Sequence, residues 1–444
     1  MSVLTSLRTV LCCSVGLALP LAVFGTEATD VPKTFPLDPT ITPRVNHTEE
    51  TLPSPTTVSE ARPITVAVIM PSDNSPMLTA FKIVLNGLIA AGGQHSNLKL
   101  IAIETSNDLT TVEQQLQAAV IAGADVAVGP LQKDRVDELL ELPYLPLPVV
   151  ALNIGTHDGN PEKLSPLLFQ MSLSTEQEAE YVAQQAIKLY QQKSANSDHI
   201  AILRDVSKAD YKVTAGFEDV LSQNQIPYHT IPIDINTLNS SKRLFSDAQN
   251  AIVRHQLKLQ LTQLNQELPN EQNLEQQATL QRQLQQLPET NTLTLYPIVL
   301  VALSSPEAAL AINRLPRETE QVFGISTLNP GDPETNATAK SLIYDLNNVQ
   351  FVDSPLLVKY DADSFQARFN MPMPYSLTAK RLFALGHDAL NAAFHWAHQE
   401  QRFSISGEAG EWDANRDANA QIKRTPATIL IQDGELQILS VDKH

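Results

Sequence analysis

The most metal-like grouping in the chain is His395-Trp396-Ala397-His398, with His387 two turns earlier on the same expected helix. Imidazoles at i and i+3 share one helix face, but a tetrahedral site needs further ligands that this stretch does not supply. Surface or core histidines are the alternative, and no metal is assigned. Asp361 and Asp363, Asp413 and Asp417, and the aspartates 205 and 210 near strand ends have side chains suited to acid/base work. Such groups act only when they converge in one cleft with shifted pKa values. In a chain with 49 Asp and Glu, close pairs arise from composition alone, and solvated loops are the other reading. No GxSxG elbow, Walker phosphate loop, GxGxxG run, HExxH or CxxC occurs. The sequence therefore assigns no catalytic residue and no cofactor, and the chain is not expected to be an enzyme.

Any binding chemistry must then come from loops held by a scaffold, and from Ile64 onward that scaffold is legible. Short apolar runs at Thr65–Met70, Leu98–Glu104, Asp125–Val128, Val149–Leu152 and Leu168–Met171 alternate with helices starting near Ser75, Thr110 and Lys133. This alternation predicts a parallel, doubly wound sheet, and runs such as TVAVIM fit strands covered on both faces. After a capping-box start at Ser174-Thr175-Glu176-Gln177, a second series is read. It has strands at His199–Leu203, Tyr228–Ile233, Ile298–Leu303 and Val322–Ser326, and helices at Tyr211–Gln223 and Glu307–Arg314. The expected fold class is α/β with two Rossmann-like lobes and a cleft between them. Doubly wound sheets bind ligands beyond the carboxyl ends of their strands. The candidate cleft residues are accordingly Ser72, Asp73, Thr105, Gly129, Leu131, Gln132, Asn153, Ser304 and Ser305, with inert connections or a protein-contact rim as the other readings.

The expected boundaries are 64–172 plus about 357–400 for lobe 1, and 173–356 plus about 401–444 for lobe 2. A glutamine-rich insertion at about 243–288 interrupts lobe 2. Leucines 257, 261, 264 and 268, then 280, 284 and 287 beyond Pro269-Asn270, step by three and four. That spacing predicts two amphipathic helices in an antiparallel hairpin, packed on its own lobe or projecting to a partner. A helix over 378–399 and a strand pair joined by Asp433-Gly434 close the chain.

Residues 1–25, with Arg8 ahead of an apolar run from Val10 to Phe24, read as a secretory signal peptide. Cleavage after Gly25 or Ala28 would remove both cysteines, Cys12 and Cys13. Residues 26–63 carry seven prolines and no apolar period, which marks a disordered linker. The 31 Lys and Arg against 49 Asp and Glu give a net charge of −18, and no basic cluster offsets it, which excludes nucleic-acid binding as a main function.

The order of elements resembles type I periplasmic binding proteins. Several segments are more similar to one branch, the LppC/LpoA-type activators of penicillin-binding proteins. These are VGPLQKDRVDELL (128–140), ALNIG (151–155), LFQMSLSTEQEAEYVA (168–183), VFGISTLNPG (322–331), DLNNVQFVDSPLLV (345–358), LFALGHDALNAA (382–393) and SGEAGEWDAN (406–415). Amino-acid receptors of this fold usually place Ser or Thr after the third strand's Gly-Pro, where this chain has Leu131, Gln132 and Lys133. The resemblance implies a noncatalytic periplasmic protein that stimulates a class A penicillin-binding protein, a peptidoglycan synthase, by contact. A periplasmic receptor for an amino acid or other small ligand is the alternative. The family's members are typically outer-membrane lipoproteins, yet no lipobox is read here, since Leu11 precedes Cys12 and the apolar run continues past both cysteines.

Overall fold

The computed structural model describes residues 62–105, 110–156, 164–193, 199–206, 211–233, 257–258, 260–266, 271–286, 296–313, 315, 319–333, 336–416 and 420–439. The expected signal peptide, nearly all of the linker, the hairpin tip, and Asp210 and Asp417 lie outside them.

Lobe 1 is built on β1 (Ile64–Ile69), β2 (Leu98–Ile103), β3 (Val126–Val128), β4 (Val149–Ala151) and β5 (Leu168–Gln170), with α1 (Leu78–Gly92), α2 (Val112–Ile121) and α3 (Lys133–Glu141) between them. All five strands are parallel, in the order β2-β1-β3-β4-β5. Helix α3 starts at Lys133 as expected, whereas α1 and α2 start two or three residues later than expected. Thr111, not Thr110, caps α2, exchanging bonds with Gln114 in a capping box.

Lobe 2 repeats the plan. Its elements are α4 (Thr175–Lys193), β6 (Ile200–Asp205), α5 (Lys212–Gln223), β7 (Tyr228–Ile233), α6 (Glu271–Gln286), β8 (Ile298–Ala302), α7 (Ser305–Ile312), β9 (Gln321–Gly324), α8 (Ala337–Asp345) and β10 (Val349–Asp353). The parallel part of its sheet runs β7-β6-β8-β9-β10, the same winding as lobe 1. In the insertion, the helical residues 260–266 and α6 are joined by the Gln277 amide donating to the Leu264 carbonyl at 3.3 Å. No described residue of this hairpin enters any of the four apolar cores.

The chain passes from lobe 1 to lobe 2 after β5 and returns after β10 into α9 (Leu356–Lys359), α10 (Ala362–Phe369) and α11 (Leu377–Ala397). These helices close the lobe 1 core, with Phe365, Phe383, Leu390 and Trp396 buried beside Phe81 and Phe169. Helices α1 and α11 touch backbone to backbone. A Cβ on Gly87 would stand 2.0 Å from the Phe383 carbonyl oxygen, and one on Gly386 would stand 2.0 Å from that of Val84. Only glycine permits so close an approach.

The path of the chain after α11 corrects the expected boundary at 401. Strands β11 (Arg402–Ser406), β12 (Glu411–Asn415) and β13 (Lys423–Thr425) form a separate antiparallel sheet on lobe 1, not on lobe 2. Its alternate residues Phe403, Ile405, Trp412 and Ala414 are buried in the lobe 1 core, and Ile422 donates to the Gln170 carbonyl, extending β5. The chain then crosses a third time, and β14 (Ala427–Gln432) and β15 (Glu435–Ile438) add antiparallel strands beside β10. Among the described residues no helix is long and apolar enough to cross a membrane.

Candidate functional site

In a 2-1-3-4-5 sheet the strand order reverses between the first and third strands, and the crevice opens at that point. Both lobes have such a crevice. In lobe 1 it measures about 220 Å³ and collects Ser72, Ser75, Thr105, Leu131, Gln132 and Arg135 beyond β1 and β3. In lobe 2 it measures about 160 Å³, with Arg204, Asp205, Tyr211, Thr214, Ser304 and Thr327 beyond β6 and β8. Neither crevice is lined from both lobes, and both are smaller than the roughly 300–1,000 Å³ of pockets that enclose drug-sized ligands.

Four of the nine residues singled out from the sequence thus meet in lobe 1, and Ser304 lies alone in lobe 2. Their polar groups are largely engaged within the lobe. The Gln132 amide donates to Ser75 Oγ at 3.1 Å, and Thr105 Oγ1 donates to Thr110 Oγ1 at 2.8 Å. Arg135 binds Glu138 at 2.6 Å, the Thr110 carbonyl at 2.6 Å and Gln115 Oε1 at 3.2 Å. Asn153 sits outside the crevice and ties two loops together by donating to the Leu131 carbonyl at 3.1 Å. Gly129 is buried against Ile69 in a left-handed conformation, and Asp73 is exposed. Ser305 is not a loop residue, because it forms the buried first turn of α7.

The three helix histidines do not converge. His387 lies between Gln94 and Asp388, His395 bonds Glu400 at 2.9 Å and stacks on Phe403, and His398 bonds the Phe394 carbonyl at 2.8 Å. Among the described residues no group of three or more His, Cys, Asp and Glu has the geometry of a metal site.

The most heavily charged buried site lies instead where the lobes join. Asp353, at the end of β10 in lobe 2, is completely buried. Its carboxylate accepts from Arg381 of α11 in lobe 1 at 2.7 and 2.5 Å, from Asn329 at 2.8 Å and from the Ser354 N–H at 2.7 Å. Arg381 also donates to the Ser326 carbonyl, and the Ser326 N–H donates to Glu178 of α4 at 3.1 Å. Glu178 accepts from Arg424 of β13 at 2.9 Å, and Arg424 donates to Ser354 Oγ at 3.3 Å. The path Arg424, Glu178, Ser326, Arg381, Asp353, Ser354 closes on itself. It is a ring with two positive and two negative side chains that spans both lobes at their crossings. Burial works against the charge of Arg381, and the Asp353 carboxylate outweighs it, holding the guanidinium above its ordinary pKa. Beside it, burial holds the Lys380 ammonium below its ordinary pKa despite Asp332.

A second clamp fixes the three-stranded sheet. Asp388, also fully buried, accepts from the Glu408 and Ala409 N–H groups at 2.8 and 2.7 Å and from the Trp412 indole at 2.8 Å. A Cβ on Gly407 would lie 2.2 Å from that carboxylate, so this turn must pass it without a side chain. The Glu408 carboxylate accepts from the Tyr360 phenol at 3.0 Å, and burial together with Glu408 pushes that phenol's pKa up. Sequence reasoning missed both arrangements, although Glu178, Ser326, Asp353, Ser354, Asp388 and Trp412 all fall within the segments that carried the family resemblance.

Comparison with known proteins agrees with that resemblance. Residues 43–196 match the family described as "LppC putative lipoprotein". Among solved structures, the C-domain of LpoA from Haemophilus influenzae, described as a regulator of PBP1A, is 18% identical with a TM-score of 0.56. That match covers 85% of this chain and 100% of the domain. Full-length LpoA from the same organism is 17% identical with a TM-score of 0.57, and the match spans 85% of this chain but 59% of that protein. A "putative branched-chain amino acid ABC transporter" from Chromobacterium violaceum is 22% identical with a TM-score of 0.56, covering 82% of this chain and 99% of that one. The fold is thus the two-lobed α/β fold shared by LpoA and type I periplasmic binding proteins. No curated protein sequence matches.

Proposed function

We propose that this chain is a noncatalytic periplasmic protein that stimulates a class A penicillin-binding protein through protein contact, and so regulates peptidoglycan synthesis. The observation that carries the reading is the buried ring across the lobe crossings, which suits a body of fixed shape presenting a surface rather than a clamshell closing on solute. The satisfied side chains of the lobe 1 crevice support it, as does the LppC match over 43–196. Outer-membrane association belongs to this proposal, as the attachment expected of the family. The test is synthesis by a purified class A enzyme from the same organism, with and without this protein. Stimulation at low molar excess is the expected result, and absence of both stimulation and binding at micromolar concentration would overturn it.

A receptor for a small solute is the second reading, favoured by the crevice at the lobe 1 switch point. Titration calorimetry against an amino-acid and metabolite panel tests it, and silence across the panel would reject it.

A further inference from the structure

Lys380 is the buried cation that the ring leaves out. It stands in the first turns of α11 beside Arg381, where that helix meets the lobe 2 loop following β9. A lysine ordinarily lays its stem on apolar surface and keeps its ammonium in water. Lys380 departs from that habit, since it is 9% exposed. Every other lysine whose side chain is described is exposed, Lys82, Lys99 and Lys340 among them. It lines neither lobe crevice.

The nearby carboxylates are committed elsewhere. Arg381 takes both oxygens of Asp353, and Arg424 takes Glu178. Among the described residues the Lys380 ammonium makes no hydrogen bond and no ion pair, and Asp332 on the lobe 2 loop acts on it through space. The nitrogen is nevertheless not sealed in, because the fully enclosed side-chain atoms without a partner are Thr319 Oγ1 and Glu408 Oε2. A small molecule can therefore touch Lys380 Nζ at the junction of the lobes. The narrow opening selects for size, and the cost of removing charge from water selects against ionic molecules.

We propose that Lys380 is a covalent modification site, acylated at the lobe junction by small uncharged acyl donors of the ester and lactone class. An ammonium has no lone pair, so a lysine is a nucleophile only as the free amine. Removal from water with no acceptor in reach favours that form. Burial holds Lys380 below its ordinary pKa, and Asp332 opposes this without cancelling it. In the reaction the nitrogen lone pair attacks the acyl carbon. The bond from that carbon to the leaving oxygen breaks, and the leaving oxygen takes its electron pair and the proton that nitrogen releases. An amide replaces the amine, and neither oxidant nor reductant is consumed. The product is neutral, so acylation removes from the junction a charge that has no close partner there. An exposed lysine gains nothing comparable, because water already solvates its ammonium.

The test is competitive labelling of the full chain with a trace of acetic anhydride, from pH 6 to 10. The chain is then unfolded, labelled to completion with the deuterated reagent, and each lysine peptide is quantified by mass spectrometry. At pH 7 Lys380 is expected to take up about threefold or more the acetyl of Lys82, Lys99 or Lys340. The preference should fade toward pH 10, where exposed lysines also become free amines, and vanish in the urea-unfolded chain. Asp332→Asn removes the opposing charge and should raise the Lys380 signal at pH 7, with Lys82 and Lys99 unchanged. Phenyl acetate, an ester, should reproduce the pattern. Labelling of Lys380 no faster than that of the exposed lysines at pH 7 overturns the inference. So does a preference that survives unfolding, a Lys380 signal lowered by Asp332→Asn, or failure of the ester to label Lys380. Synthase stimulation is scored separately, so failure here leaves the proposed function standing.

Discussion

Replacing Arg381 by Met probes the ring at its most asymmetric point. The substitution removes three hydrogen bonds at 2.5 to 2.9 Å and leaves the Asp353 carboxylate completely buried with only Asn329 and the Ser354 N–H as partners. Stranding one member of a buried ion pair costs about 3–5 kcal/mol, because the remaining charge keeps its desolvation penalty without its counter-charge. Methionine occupies much the same volume as the arginine stem, so lost packing adds little. The diagnostic variant is the double substitution Arg381→Met with Asp353→Asn. It removes the orphaned charge and should cost only the lost hydrogen bonds, about 1–3 kcal/mol. The assay is urea denaturation followed by tryptophan emission and far-UV dichroism, with free energies from linear extrapolation. The expected order of stability is parent, double variant, then Arg381→Met. A single variant within about 1 kcal/mol of the parent, or a double variant no more stable than the single, would refute the claim that the ring holds the lobes.

Three further outcomes rest on the same geometry. Asp388→Asn turns an amide toward the Ala409 and Trp412 donors, and two buried donors left without an acceptor should cost about 2–6 kcal/mol in urea unfolding, with a shift in tryptophan emission; a loss under 1 kcal/mol would count against the clamp. Gly386→Ala drives a methyl into the Val84 carbonyl and should cost about 3 kcal/mol or more, whereas Ala at solvent-exposed Gly93 of the same helix pair should change little, so equal effects would contradict the close approach. Partial burial, together with the Asp219 and Glu176 carboxylates, raises the pKa of Glu180, whose side chain is exposed on α4. A carboxyl raised in the folded state gives stability that is present below its unfolded pKa of about 4.3 and lost as pH rises through the folded value. Glu180→Gln should therefore melt higher than the parent at pH 7 and converge with it near pH 4; a gap that widens on acidification would reverse the sign.

The lobes were legible because each depends on local pattern. Apolar runs of strand length separated by helix-period stretches fix a parallel sheet, and the same pattern twice gives two lobes. Residues 402–425, which form β11 to β13, were assigned to the wrong lobe for the opposite reason. Only the pockets offered by Phe169, Trp396 and the end of β5 decide which core receives Phe403 and Trp412. Four of the nine loop residues, Ser72, Thr105, Leu131 and Gln132, line the lobe 1 crevice, since position after a strand is a topological fact. Whether Gln132 or Thr105 reaches into solvent or bonds its neighbour is set by side-chain packing that spacing does not encode. The ring was invisible for a related reason. Glu178 and Arg424 stand 246 positions apart, and in a chain with 49 acids no pairing of one carboxylate with one guanidinium is distinguished until the fold is known.

The ring also bears on how the fold is used. Two lobes that swing on a hinge to enclose a ligand must have open and closed states of similar energy, so that the ligand's differential affinity can select between them. Any rotation that parts α11 from the end of β10 separates Arg381 from Asp353, and a stranded buried charge costs about 3–5 kcal/mol. A solute would have to favour the rotated state by roughly two to four orders of magnitude simply to offset that term. The crevices provide little from which to draw such a preference, since each is confined to one lobe and the lobe 1 side chains already bond among themselves. A regulator that acts by contact has no such requirement. The ring at the crossings, neutral and buried except for part of Arg381, instead favours a single arrangement of the two lobes.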